Sequence, residues 1–139
     1  TQIWRKTDGA PQFTGDRPGM GYESIVTCWG TIGGRMRWNG GGRHGVYDYG
    51  VAQSKEHPTE KPLPLMLELV SLFTDPGATI LDPFMGSGTT LVAAYRLGRK
   101  AVGIELEEKW CEVAAKRLEA MDLPMFPDLK PGQMGMVIS

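Results

Sequence analysis

The sequence predicts an α/β fold with a parallel sheet, and two segments in its second half carry that prediction. Residues 81–90 read LDPFMGSGTT and lie between an apolar, β-branched run and an apolar helical run, which gives the order strand, glycine turn, helix. Residues 100–105 read as another strand, which ends in Glu105, seventeen positions after Gly88. Short strands that alternate with helices are typical of a parallel sheet with helices packed on it.

The glycine turn is predicted to bind a nucleoside, because it brings backbone N–H groups and a helix N-terminus close to a ligand. Gly86 and Gly88 permit tight backbone geometry and close approach of that ligand. Leu91 stands where a dinucleotide-binding turn carries its third glycine, and no Gly-Lys-Ser/Thr follows, which excludes a P-loop. The turn therefore favours an adenosine ligand without a pyrophosphate. Glu105 is suited to a ribose diol, or to the dipole of the helix after it.

The remaining elements follow from periodicity and from helix-breaking residues. Residues 2–6 and 23–29 read as strands, the second one buried because it is apolar on both faces; 7–21 and 30–56 read as loops. Helices are predicted over 62–74, 89–97 and 107–121, strands at 80–81 and 101–104, and a late strand at 136–138. Tryptophans on these elements, including Trp4, Trp29 and Trp110, are expected to pack in the core.

Three motifs together resemble a known family. They are His57-Pro58-Thr59-Glu60-Lys61-Pro62, the run Asp82 to Thr90, and Gly103-Ile104-Glu105. The chain resembles the S-adenosylmethionine-binding half of permuted amino-group DNA methyltransferases, and residues 12–23 more loosely resemble prophage-type members. The resemblance implies a Rossmann-like methyltransferase sheet, incomplete in this chain. It implies S-adenosyl-L-methionine as cofactor, held by Thr59, Lys61, Asp82, Phe84, Met85, Gly86, Ser87, Gly88, Thr89, Thr90, Glu105 and Leu106.

The family's catalytic signature is absent, since the sequence holds no Pro-Pro pair. The chain therefore looks like the C-terminal, cofactor-binding part of such an enzyme, and its catalytic residues are unknown. We expect this chain alone to be inactive, and its complement to be a lost N-terminal segment or a separate chain. The expected division is 1–56 (sheet remainder and DNA-contacting loop), 57–122 (cofactor-binding unit) and 123–139 (Pro/Gly/Met-rich tail).

A basic segment in the first third of the chain is the candidate for contact with double-stranded DNA. Arginine contacts phosphates and guanine, and tryptophan stacks on bases. A flexible surface loop with scattered charge is the alternative explanation. The net charge of −1 gives no global attraction to nucleic acid, so any DNA surface must be local. The candidate residues are Arg35, Arg37, Trp38, Arg43 and His44. Adenine is preferred over cytosine as the target because it is the commoner target among relatives.

Length, composition and cysteine spacing limit the size of the domain, its association with membranes and its binding of metals. A chain of 139 residues, 41% hydrophobic and 22% charged, is one globular domain's worth of sequence. No apolar run reaches the length of a membrane span, so no membrane association is expected. Cys28 and Cys111 lack metal-ligand spacing, which predicts two buried, reduced thiols, no bound metal and a cytoplasmic location. A homodimer is left open.

Two further functional hypotheses keep the same cofactor turn. The first is a catalytically silent subunit or remnant that binds cofactor or DNA. The second is a methyltransferase that acts on RNA or a small molecule, which would be favoured if residues 30–56 were packed against the body instead of lining a basic cleft.

Overall fold

The computed structural model describes residues 1–10, 13–29, 36–52 and 59–121, and the backbone of 135–136. The described elements follow one another as β1 (Gln2–Lys6), β2 (Tyr22–Ile25), β3 (Val46–Tyr49), α1 (Leu63–Phe73), β4 (Thr79–Asp82), α2 (Thr89–Arg96), β5 (Lys100–Gly103), α3 (Glu108–Glu119) and β6 (Gly135–Met136).

The first sheet is three-stranded, in the order β2-β1-β3. β1 runs antiparallel to β2 and parallel to β3, with Trp4 opposite both Glu23 and Tyr47. Trp4 and Tyr47 are 3% and 1% exposed and form one core cluster with Leu65 and Leu72 of α1. One face of this sheet is therefore packed on α1, whereas Ile3 and other residues of the opposite face are exposed.

The second sheet is parallel throughout, in the order β4-β5-β6. α2 connects β4 to β5, and α3 follows β5, so the strands and helices alternate as predicted. Its core cluster joins Met85, Leu91 and Ala94 to Ala101 of β5 and to Cys111 and Ala114 of α3. Gly103 leaves room for this packing, because a Cβ there would collide with the sulfur of Met85 and lie 2.9 Å from Leu91.

Arg99 links the ends of two helices. Its guanidinium donates to the carbonyl of Thr74 at 2.8 Å and to the Thr74 hydroxyl at 3.1 Å, and it also donates to the carbonyl of Leu97. These acceptors lie at the C-termini of α1 and α2, where carbonyls lack helical partners and a positive charge is stabilising. The C-terminal ends of the two helices are thereby held together.

Sequence reasoning missed one strand and overestimated another. Val46–Tyr49 lies inside the stretch predicted as a loop, yet it forms β3 by pairing with β1. The strand predicted over 23–29 ends at Ile25, and the prediction that it is buried is wrong, since Val26 is 70% and Trp29 56% exposed. Cys28 is likewise exposed, while Cys111 is buried as expected.

The late strand is present in part. Gly135 and Met136 pair in parallel with Val102 and Gly103, and the rest of the predicted strand at 137–138 lies outside the described residues. At the other edge of this sheet, no described strand pairs with the free side of β4, and Leu81 is 61% exposed. An open edge with an exposed leucine fits the incomplete sheet expected from the sequence.

Candidate cofactor site

The glycine turn lies between β4 and α2, at the carboxyl end of the parallel strands. Gly86 and Gly88 both adopt positive φ, at 51° and 79°. The N–H of Gly88 donates to the Met85 carbonyl at 2.8 Å, and the N–H of Met85 donates to the carbonyl of Ile104 at 3.0 Å. The turn is thus closed on itself and tied to the end of β5.

Glu105 lies directly against this turn. Its Oε2 accepts a hydrogen bond from the N–H of Gly86 at 3.0 Å, and its Oε1 accepts from Leu106 and Glu107 at 2.8 and 3.0 Å. The last two donors precede α3, so Glu105 also serves the start of that helix, the second role that its position suggested. Carboxylate oxygens accept more than one hydrogen bond each, which suits this position to a ligand hydroxyl.

Two large apolar side chains flank the turn and are open to solvent. Phe84 is 89% exposed and Leu106 is 87% exposed. They follow the neighbouring strands β4 and β5, which pair at Asp82 and Gly103. Asp82 orders the start of the turn, because its carboxylate accepts the N–H of Phe84 at 3.1 Å. Exposed apolar groups beside a carboxylate and backbone N–H groups suit a flat heteroaromatic ligand.

Other residues assigned to the cofactor from the motif have buried side chains. Met85 is 5%, Ser87 3% and Thr89 6% exposed, and Met85 belongs to the core cluster. Any contact from Met85 to a ligand would therefore come from its backbone. Thr90, the next residue of α2, is half-buried.

The structure gives Gly88 a role in packing. A Cβ at this position would lie 2.8 Å from the Cβ of Ala114 in α3. The glycine therefore allows close approach of a helix, and the close approach of a ligand that the sequence suggested stays a prediction. Leu91, at the usual position of a third glycine, is instead a core residue that is 2% exposed.

The second cofactor segment, residues 59–62, precedes α1. The N-cap of α1 is Pro62, without a side-chain cap bond. Lys61 pairs with Glu23 of β2 at 3.0 Å and lies 5.9 Å from the ring centre of Trp4. His57 lies outside the described residues.

Glu23 receives two lysines at once, with Lys6 also at 3.0 Å. Burial alone would raise the pKa of Glu23, but the hydrogen bonds and charges of Lys6 and Lys61 outweigh it and hold that pKa below its usual value. The first sheet and the 59–62 segment are therefore joined by a charged contact.

The thiol of Cys111 has a raised pKa. Burial and then the charge of Glu105 raise it, so the thiol stays protonated as a core residue.

Arg117 received no special role from the sequence, yet in the structure it contacts both cofactor segments. Its guanidinium contacts Glu60, Ser87 and Thr89, so it joins α3 to both cofactor segments. A pocket of about 420 Å³ adjoins Glu60 and Arg117, between the end of β3 and the start of α1. The only sequence signal for Arg117 was a charged residue beside the apolar stripe of an amphipathic helix.

The basic segment is packed on α1 where the structure describes it. Arg37 forms an ion pair with Asp75, and Arg43 forms one with Glu68. Trp38 stacks at a tilt on Phe73, with ring centres 5.3 Å apart. His44 is exposed, and Arg35 lies outside the described residues. These contacts account for the residue types at Arg37, Trp38 and Arg43 without DNA, so their contact with DNA stays a prediction.

Within the described ranges, no group of three or more potential metal ligands comes together. No helix of the described chain is both long and apolar enough to cross a membrane.

Comparisons with known proteins define the class. The family model for DNA methylases of the N6 and N4 type matches residues 29–116, and the chain belongs to this family. It is 51% identical over 65 residues to the type II methyltransferase M2.DpnII of Streptococcus pneumoniae, covering 47% of this chain and 24% of that protein. It is 46% identical over 80 residues to YubD of Escherichia coli K12, itself assigned only provisionally as a methylase, covering 58% of this chain and 35% of YubD.

Solved structures agree with the sequence relatives. M1.HpyAVI in complex with S-adenosylmethionine superimposes with a TM-score of 0.68 at 30% identity, covering 84% of this chain and 60% of that one. The predicted Rossmann-like methyltransferase fold is confirmed. The chain spans about a quarter to a third of the length of M2.DpnII and YubD, so the activity of the whole protein is a matter for proposal.

Proposed function

We propose that this chain binds S-adenosyl-L-methionine and forms the methyl-donor site of a DNA amino-methyltransferase. The observation that carries the proposal is the contact between Glu105 and Gly86, with exposed Phe84 and Leu106 on either side. The bound S-adenosylmethionine of M1.HpyAVI, a protein of the same fold, supports the choice of cofactor.

Each end of the cofactor has candidate residues in this chain. Glu105 would accept hydrogen bonds from the ribose hydroxyls, and Phe84 and Leu106 would cover the adenine ring. Thr59 and Lys61 would contact the methionine end, where the ammonium of Lys61 suits a carboxylate. The cofactor supplies an activated methyl group on a sulfonium. The protein's task at this site is to hold the donor in one orientation and exclude water from it.

Three polar side chains with the chemistry to orient an acceptor amine, those of Asn39, Asp48 and Tyr49, already have partners within the described residues. Asn39 uses its amide to donate to the carbonyls of Ser71 and Thr74, at 3.0 Å each. Asp48 forms a two-point ion pair with Arg5, and the Tyr49 hydroxyl donates to Glu68. Because these groups already serve the fold, orientation of the amine is assigned to a Pro-Pro segment supplied in cis or by a separate chain.

DNA contact is proposed for the exposed basic side chains. The side chains of Arg37 and Asp75 are 59% and 47% exposed, and an ion pair this open is worth about 0–1 kcal/mol. A phosphate could therefore replace Asp75 at small cost, whereas Glu68, the partner of Arg43, is only 19% exposed at its side chain. Adenine is the proposed target base.

One observation favours a second candidate, methyl transfer to RNA or a small molecule. The described part of the basic segment, residues 36–44, packs on α1 through Trp38 and Asn39, and its arginines are paired with carboxylates. Membership of the DNA methylase family favours DNA. Competition between unmethylated DNA and RNA of the same length for the fully assembled enzyme would separate the two.

Titration calorimetry with S-adenosylmethionine and with NAD tests the donor site. We expect saturable one-to-one binding of S-adenosylmethionine and no binding of NAD, because the turn lacks the third glycine of a dinucleotide site. Absence of S-adenosylmethionine binding by a folded chain would refute the proposal.

A further inference from the structure

The side chain of Arg117 reaches from α3 into the space between the two cofactor segments. Its Nη1 lies 3.0 Å from Oε1 of Glu60 and donates at 2.9 Å to both the carbonyl and the hydroxyl oxygen of Ser87. Thr89 completes the cluster, since its hydroxyl lies 3.4 Å from Glu60 and 3.4 Å from Arg117. One guanidinium thus contacts residue 60 on one side and the glycine turn on the other.

This cluster is largely buried, so the ion pair between Arg117 and Glu60 matters for the local structure. The side chain of Glu60 is 6% exposed and that of Arg117 is 22% exposed. Removing one partner of a buried ion pair leaves a charge without compensation, which is strongly unfavourable. The guanidinium of Arg117 therefore stabilises the carboxylate of Glu60 at this place.

Helix electrostatics point the same way. Thr89 is the first residue of α2, and a positive charge beside a helix N-terminus is unfavourable on its own. The carboxylate of Glu60 suits that position, and the carbonyl of Ser87 offers the cation a further acceptor. These two acceptors explain why the positive charge of Arg117 is tolerated beside the N-terminus of α2.

The main chain does not make this connection. No backbone hydrogen bond between described residues joins 59–62 to 83–88. Glu105 and Phe84, by contrast, are held by bonds within the turn and the start of α3, which do not involve Arg117.

We propose that Arg117 is a positioning residue that holds segment 59–62 against the glycine turn, so that its effect on cofactor binding is confined to the methionine end. This inference rests on the proposed function. At the adenosine end, the hydrogen bonds of Glu105 and Phe84 do not involve Arg117. If Arg117 only stabilised the fold, its loss would weaken binding of both ends of the cofactor alike.

Calorimetry with two ligands tests the inference. S-adenosylmethionine carries both ends, whereas 5′-methylthioadenosine has the same adenosine and lacks the amino-acid end. The variants are Arg117→Met and Glu60→Gln, with Lys116→Met as the control, an exposed lysine one position earlier on α3. Thermal melts of each variant report the folded fraction. If Arg117→Met fails to fold, the near-isosteric Glu60→Gln still removes the ion pair and can be measured.

We expect both site variants to bind S-adenosylmethionine about tenfold or more weakly and 5′-methylthioadenosine as well as the unsubstituted chain does. Lys116→Met should bind both ligands normally. Equal weakening for both ligands, or no weakening for either, would overturn the positioning role while leaving the donor site intact. Failure of the unsubstituted chain to bind either ligand would instead refute the proposed function, and this inference with it.

Discussion

The Oε2 atom of Glu105 lies 3.0 Å from the backbone nitrogen of Gly86, which joins the end of β5 to the turn that follows β4. The two residues are nineteen positions apart in sequence. Parallel pairing of β4 with β5 brings them together, since Asp82 and Gly103 are directly opposite in that register. The candidate site is thus formed by the pairing of the two strands. A substitution in it can change both cofactor affinity and the stability of the fold, so the two are measured separately.

Glu105→Gln should weaken S-adenosylmethionine binding and lower stability. The carboxylate accepts hydrogen bonds from three backbone N–H groups, so an amide nitrogen in its place must face one of those donors. Because Glu105 is half-buried, this loss should cost about 1 kcal/mol of unfolding free energy. Urea unfolding and calorimetry check the two effects. Glu107→Gln, two residues later and exposed, is the control; if it matched Glu105→Gln in both measurements, the role assigned to Glu105 would be wrong.

Gly88→Ala should destabilise the fold more than Gly77→Ala. Both glycines have φ near +80°, so both variants carry the left-handed penalty of about 1–2 kcal/mol. Only at position 88 would the new Cβ meet another atom, Ala114 at 2.8 Å, while Gly77 has open space around it. Overpacking adds about 1–3 kcal/mol. Equal losses of unfolding free energy in the two variants would show that α3 does not pack tightly against Gly88.

Acid should weaken the connection between the first sheet and segment 59–62. The folded pKa of Glu23 is lowered from an ordinary value of 4.5, so its stabilising contribution is complete above that pH and is lost as the pH falls through the folded value. Glu23→Gln should therefore flatten the stability profile below about pH 4.5. Urea unfolding across this range measures it, with exposed Glu112→Gln as control. An unchanged profile in Glu23→Gln would contradict the pairing with Lys6 and Lys61.

DNA binding by the basic segment predicts a change in salt dependence. Replacing Arg43 with Gln should reduce the slope of log affinity against log salt by about 0.9 for each phosphate that the side chain no longer neutralises. Fluorescence anisotropy of a labelled duplex at several salt concentrations measures this slope. Arg96→Gln, on the exposed side of α2, is the control. An unaltered slope for Arg43→Gln would refute contact between Arg43 and a DNA phosphate.

The cofactor half of the fold was predictable because its signals are local. A glycine turn between a strand and a helix, and a carboxylate at the next strand end, specify β4, α2 and β5 within a short stretch. β3 was missed because its four residues become a strand only by pairing with β1, more than forty positions away. The role of Arg117 depends on three segments that meet only in the folded chain, and no periodicity reveals it.

We expect this chain to hold the methyl donor without orienting the acceptor amine. Incubation with S-adenosylmethionine labelled with tritium at the methyl group, together with unmethylated DNA, tests both halves in one sample. We predict label retained on the protein, displaceable by unlabelled cofactor, and no label in the DNA, because amine positioning is worth about 7–11 kcal/mol of barrier. Absence of retained label would refute binding of the donor, and robust incorporation into DNA by a chain of confirmed mass would show that this chain orients the amine itself.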